Sequence, residues 1–241
     1  MLLCKRQGRM LVIFLSIVLV MSGILPVIAD AIELKDIIGN PYANTINKWV
    51  NNRFINGFPD GTFKPGNQIT RAEIMAMVNR SFRFTEMGEL QFTDVKTTDW
   101  YYKEIAKAVK AGYIQGYNGM VNPKGNISRE EMAVILSKLG KLDTSGNLEA
   151  TANLDDAKAI PEWSIGAINV CMSKKLFEGF VTAKFNPAQN ITRIEALVTL
   201  DRLLTYMGFP GGIPSKPAIG KFEFEGLSPK VIGNINEAEH L

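Results

Sequence analysis

Apolar residues fall at helical spacing in three places along the chain. Ile74, Met77, Val78 and Ser81 stand at i, i+3, i+4 and i+7, and Met132, Ile135, Leu136 and Leu139 repeat the spacing. Ala196, Thr199, Leu200 and Leu203 repeat it again. One inward face per helix is what this spacing predicts. The same short signature precedes each run: Ile69-Thr70-Arg71-Ala72-Glu73, Ile127-Ser128-Arg129-Glu130-Glu131 and Ile191-Thr192-Arg193-Ile194-Glu195. A hydroxyl residue with glutamate three positions later is a capping box, so Thr70 with Glu73, Ser128 with Glu131 and Thr192 with Glu195 each start a helix. Arg71, Arg129 and Arg193 then occupy the first helical position, where a side chain usually faces solvent. Arg80, Lys138 and Arg202 recur further along, where a solvated charge near a helix C-terminus accounts for them.

A second periodic set lies upstream of each capped helix. Taking Gly57, Gly116 and Gly179 as reference points, isoleucine stands eleven residues earlier at Ile46, Ile105 and Ile168. Val50, Val109 and Met172 stand seven residues earlier. These positions predict a first helix that the glycine ends by taking a positive φ. Trp100 and Trp163 precede the second and third glycines by sixteen residues, where the first copy has Pro41 followed by Tyr42. Asp36, Asp94 and Asp156 lie further upstream, in Leu34-Lys35-Asp36-Ile37, Phe92-Thr93-Asp94-Val95 and Leu154-Asp155-Asp156-Ala157, and read as local caps or turn formers. After each glycine comes a turn-rich loop, and Pro65, Pro123 and Pro187 each precede the cap by five residues.

Each copy is therefore helix, turn, loop and capped helix. About fifty residues of this kind bury too little surface to stand alone. The three copies are expected to share one core in an all-α domain of approximate three-fold symmetry over about residues 32–207. The predicted boundaries are 30–86, 87–145 and 146–208, with a linker-like tail at 209–241.

Composition changes the picture at the two ends. Lys5, Arg6 and Arg9 precede an apolar run from Met10 to Leu25, and small residues follow, so residues 1–29 read as a signal peptide. Its removal takes three of the 27 basic residues and none of the 24 acidic ones, leaving a formally neutral chain. That balance argues against a nucleic-acid partner. Cys171 is the one cysteine beyond the leader and sits among apolar helix positions, as a buried small hydrophobe does. In the tail, Phe222 and Phe224 alternate with glutamates as a short strand would, and Val231 with Ile232 suggests another. Such a tail packs on the repeats, stays disordered, or contacts a surface-protein partner.

These residues resemble the S-layer homology domain in three tandem copies, most closely at Phe92-Thr93-Asp94-Val95 with Trp100 and at Ile69-Thr70-Arg71-Ala72-Glu73. The resemblance implies a pseudo-trimer of helices with grooves between repeats, on a secreted protein of the cell wall and S-layer. It further implies non-covalent binding to secondary cell-wall polysaccharide on peptidoglycan, typically through glycans bearing pyruvate ketals, with no cofactor and no catalysis. Arginine suits such a ketal because its planar fork pairs with a carboxylate, and helix N-termini add free N–H groups. Arg71, Arg129 and Arg193 are thus candidate glycan ligands, the alternative being solvated helix starts. Trp100, Trp163 and Tyr42 either stack on sugar faces or fill the core. Gly57, Gly116 and Gly179 are turn residues that also permit close ligand approach, and Asp36, Asp94 and Asp156 are secondary candidates. Glu130 places negative charge beside Arg129, which predicts a weaker second groove. Two other functions compete. A self-assembling surface lattice is one; a glycan hydrolase with paired carboxylates is the other, although each recurring glutamate already has a capping role.

Overall fold

In the computed structural model of the chain, the described residues are 34–209. The expected signal peptide and the tail strands lie outside them. The order of helices is α1 (Ala43–Asn51), α2 (Arg71–Phe82), α3 (Tyr102–Lys110), α4 (Arg129–Leu139), α5 (Glu149–Ala152), α6 (Glu162–Ser173) and α7 (Arg193–Tyr206), with a 3-10 turn at Ala157–Ala159. The all-α expectation therefore holds among the described residues, where pairing outside helices is limited to isolated bridges. Each repeat contributes a first helix (α1, α3, α6) and a capped helix (α2, α4, α7); α5 is an addition between the second and third repeats.

The capped helices form the centre. Ile74, Met77, Val78, Met132, Ile135, Leu136, Leu139, Ala196, Leu200 and Leu203 are all buried, as their spacing predicts. Each first helix packs on the capped helix of the preceding repeat: α3 on α2, α6 on α4 and α1 on α7. The last of these pairings closes the ring. There the Trp49 indole donates to Asp201 at 2.7 Å, and Lys48 pairs with the same carboxylate.

At the centre three isoleucines join backbone to backbone. Ile69 N–H donates to Ile191 C=O at 3.3 Å, Ile127 N–H to Ile69 C=O at 3.2 Å and Ile191 N–H to Ile127 C=O at 2.9 Å. This cyclic arrangement brings the three helix N-termini together and decides where their N–H groups go. Arg71 and Ala72 N–H donate to Gly125 and Pro123 C=O; Arg129 and Glu130 to Gln189 and Pro187; Arg193 and Ile194 to Asn67 and Pro65. The cap hydroxyls of Thr70, Ser128 and Thr192 accept from the third position. The N–H groups expected to greet an anion are therefore already used, by loops of the neighbouring repeat.

The reference glycines also act differently from the expectation. The left-handed residues that end the first helices lie four positions earlier, at Arg53 (φ 59°), Gly112 (φ 77°) and Lys175 (φ 58°). Of the three reference glycines, Gly179 alone has a positive φ, at 82°. Gly116 is glycine because of crowding: an added Cβ would run into the Phe92 ring and lie 2.6 Å from the Met120 carbonyl oxygen. At Gly57 it would lie 2.7 Å from Leu34 Cδ2. In the first two repeats the opening residue, Leu34 or Phe92, folds over this bare backbone.

Candidate functional site

Grooves form where repeats meet, and each groove takes parts from all three. In groove 1 the first repeat supplies Asn56, Glu73 and Arg80, the second supplies Trp100 and the third supplies Arg193, around a cavity of about 170 Å³. Groove 2 is its pseudo-symmetric copy. Gln115, Glu131 and Lys138 come from the second repeat, Trp163 from the third and Arg71 from the first, around a smaller notch of about 50 Å³.

The motif arginines are not solvated helix starts. Arg129 and Arg193 are buried, and the Arg71 side chain keeps 13% of its surface exposed. Arg71 pairs with Glu131, Arg129 with Glu195 and Arg193 with Glu73, the last at 3.7 Å. Each arginine thus reaches the capping glutamate of the next repeat round the ring. Each also donates to an equivalent loop carbonyl: Arg71 to Val121 at 2.9 Å, Arg129 to Phe185 at 2.9 Å and Arg193 to Phe63 at 3.1 Å. The Arg193 guanidinium lies over the Phe58 and Phe63 rings at 4.9 and 5.0 Å. Burial lowers its pKa, against the opposing pull of Glu73 and Asp36. The three arginines line the grooves, yet much of their hydrogen-bonding capacity is spent joining repeats.

The remaining candidates separate. Asp36 accepts from Phe63 and Lys64 N–H, Asp94 from Val121 and Asn122, and Asp156 from Phe185 and Asn186. They clamp the loops from behind, as turn formers. Trp100 is 62% exposed and Trp163 is half-buried, so neither fills the core and both wall a groove. Tyr42, the counterpart of the tryptophans, instead packs against Phe180 with ring centroids 5.3 Å apart.

That contact makes the third inter-repeat position unlike the other two. The Tyr42 hydroxyl lies 3.1 Å from where a Cβ on Gly179 would be, so the ring packs close against this glycine. Arg202, the counterpart of Arg80 and Lys138, donates to the Leu176 and Glu178 carbonyls at 3.0 and 2.6 Å and sits over the Phe180 ring. The space that a ligand would enter is filled by the protein's own side chains. Arg129 belongs to this third position rather than to groove 2, and Glu130 turns toward α6, where the Ser164 hydroxyl donates to it at 3.3 Å. Glu130 therefore takes no part in the lining of groove 2.

Two cations that are not among the sequence candidates, Arg80 and Lys138, also line the grooves. Lys138 is 8% exposed, and burial pushes its pKa down to about 8. Its ammonium makes no hydrogen bond or ion pair with the described residues and is not sealed from solvent. The signal was present: Arg80, Lys138 and Arg202 each follow a capping glutamate by seven residues, two helical turns, and so share its face.

A further cavity of about 610 Å³ lies apart from the grooves, between the 140–150 linker, α6 and the end of α7. Its Asn169 holds the linker, accepting from Ala150 and Thr151 N–H and donating to Asn147 C=O. Cys171 is buried, its thiol pKa is raised by desolvation, and its Sγ contacts the Ala133 carbonyl at 3.5 Å; it is a core residue.

Comparison with known proteins agrees with this architecture. The model of the S-layer homology domain matches residues 33–75, 91–133 and 153–197. An amylopullulanase of Thermoanaerobacterium thermosulfurigenes is 32% identical over 180 residues, which are 72% of this chain and 10% of that protein. The surface-layer 125 kDa protein of Lysinibacillus sphaericus is 28% identical over 211 residues, 85% of this chain and 17% of that protein. A cellulosome-anchoring protein of Acetivibrio thermocellus is 42% identical over 79 residues, 32% of this chain and 18% of that protein. The chain thus spans a small part of the length of each.

Proposed function

The chain belongs to the S-layer homology domain family, whose members anchor proteins to the cell surface, and from that premise we propose that it binds pyruvylated secondary cell-wall polysaccharide in its inter-repeat grooves. The observation that carries this reading is the recurrence of one lining. Arginine, capping glutamate, a second cation and an exposed or half-exposed tryptophan meet in groove 1 and meet again in groove 2. Cation and aromatic face together suit a sugar that carries a carboxylate. Two modest sites on one chain, meeting a polymer of repeating units, gain by effective concentration.

The relatives support anchoring over catalysis or lattice assembly. An amylopullulanase, a surface-layer protein and a cellulosome-anchoring protein have unlike names and share parts of this same stretch. What they hold in common fits attachment better than any one activity. The capping glutamates, moreover, are committed to Thr70, Ser128 and Thr192 and to the arginines, so they make poor acid–base pairs.

Co-sedimentation with Gram-positive cell walls tests the proposal. The protein is expected to pellet with intact walls, to stay in solution once the secondary polymer is extracted, and to bind weakly after chemical removal of pyruvate. Equal binding to extracted walls would overturn it. Steady release of reducing ends would instead restore the hydrolase reading.

A further inference from the structure

The cavity of about 610 Å³ beside α6 has no part in the grooves. It is built on the one linker that carries an extra helix, since among the described residues α5 has no counterpart between the first and second repeats. Leu142 and Val170 give its lining apolar surface, and Tyr206 stands in it with 51% of its surface exposed. The charge beside that ring is Lys174, 5.1 Å from its centroid; Lys141, Asp143 and Glu149 line the cavity further round. An exposed ring in a concave wall leaves apolar surface in water, and covering it with another apolar group is favourable.

The chain leaves the domain beside this cavity. Tyr206 is the last residue of α7. Gly208 then takes a left-handed φ of 89°, its N–H donates to Thr205 C=O at 3.0 Å, and the Phe209 N–H donates to Leu204 C=O at 2.9 Å. These bonds turn the chain back at the helix end instead of letting it run on, and Phe209 packs on the core. The tail, residues 210–241, thus begins four positions after a wall of the cavity. Its two phenylalanines, Phe222 and Phe224, alternate with Glu223 and Glu225. In an extended segment alternate residues share a side, so both rings face one way and both carboxylates the other.

Reach and volume agree. Residues 210–221 join this stretch to the domain, and a coil of that length spans roughly 20 Å. Such a tether holds the rings near the cavity at an effective concentration on the order of millimolar, so a weak contact suffices. A pocket of roughly 300–1,000 Å³ takes groups of drug size, and the cavity falls in that range.

We infer that this cavity is the docking place of the chain's own Phe222-Glu223-Phe224-Glu225 segment. The two rings enter against Tyr206, Leu142 and Val170, and the glutamates stay at the rim with Lys174 and Lys141. While docked, the segment withholds its phenylalanines from other proteins. The inference does not depend on the wall-binding reading.

Cysteine trapping tests it in the chain freed of its leader, whose native Cys171 is buried. Ser173 is exposed and lines the cavity, whereas Lys103 is exposed on α3, which takes no part in it. The pair S173C/E223C is expected to close an intramolecular disulfide at least tenfold faster than the control pair K103C/E223C, and adding F222S/F224S should remove the advantage. Equal rates for the two pairs would overturn the docking. An advantage that survives F222S/F224S would overturn it too, because the rings would then not be what docks. Disulfide-linked dimers whose yield rises with protein concentration would overturn it in favour of the tail of a second copy.

Discussion

Arg193, at the start of the last capped helix, reaches Glu73 of the first at 3.7 Å and so closes a ring of three arginine–glutamate pairs. Every pair joins two repeats, and every glutamate in it also caps a helix. The motif arginines are therefore structural as well as groove-lining. Truncating one disturbs the packing of repeats, and a loss of binding that follows does not by itself locate the ligand.

The Arg129–Glu195 pair should be the most sensitive of the three. Both side chains are 7% exposed, whereas Glu73 keeps 35%. R129M leaves the Glu195 carboxylate buried without its partner, and a stability loss of about 3–5 kcal/mol is expected. R193M should cost distinctly less, because Glu73 can be solvated. Urea unfolding of the two variants checks the order.

Gly116 should tolerate no side chain. An alanine Cβ would meet the Phe92 ring and the Met120 carbonyl oxygen at 2.6 Å, and backbone cannot step aside as a side-chain tip can. G116A is expected to cost about 1–3 kcal/mol. G57A should cost less, since its main obstacle at 2.7 Å is the end of the Leu34 side chain. Paired thermal melts would show the difference.

Lys138 should trade stability for binding. Its folded pKa is about 8, below the ordinary 10.5, so the fold prefers the neutral amine. Below pH 8 both folded and unfolded chains hold the proton, and the fold bears the full cost of desolvation. From pH 8 upward the unfolded chain binds more protons than the folded one, and this group's contribution to stability rises with pH. Above about pH 10 the buried Tyr113, whose pKa burial raises, works in the opposite direction. K138M removes the desolvated charge, so it should be the more stable protein at neutral pH, by roughly 3 kcal/mol at most. Its advantage should shrink between pH 8 and 10. Denaturant melts of both proteins across that range test the sign.

A small ligand should occupy no more than two sites per chain. Tyr42, Phe180 and Arg202 fill the third inter-repeat position, with the Tyr42 and Phe180 rings 5.3 Å apart and Arg202 held by the carbonyls of Leu176 and Glu178. Native mass spectrometry with a glycoside bearing a pyruvate ketal is expected to show one and two bound copies. Three equivalent copies would mean that these side chains move aside.

Periodicity made the fold legible. A hydroxyl–arginine–glutamate signature followed by apolar positions at helical spacing implies a capped, buried helix, and three copies imply a shared core. The ring of Ile69, Ile127 and Ile191 was not legible, because a backbone contact between distant repeats leaves no mark beyond an apolar residue. That ring is also why the anion-binding helix starts failed as an expectation: it delivers loop carbonyls to the N–H groups. Gly57 and Gly116 misled for a related reason, since glycine serves close approach as readily as a left-handed turn, and here Leu34 and Phe92 do the approaching. Lys138 was readable, through its two-turn spacing from Glu131, but its burial was not, because Tyr113, Ile114 and Trp163 reach the same groove from elsewhere in the chain.

The most direct measurement of the central claim is wall binding by an R80M/K138M double variant, which removes one cation from each open groove and leaves the arginine–glutamate ring untouched. It should melt at or above the temperature of the unaltered protein and lose most of its co-sedimentation with pyruvylated walls. A double variant that is folded and still pellets fully would contradict the claim that these grooves hold the polymer.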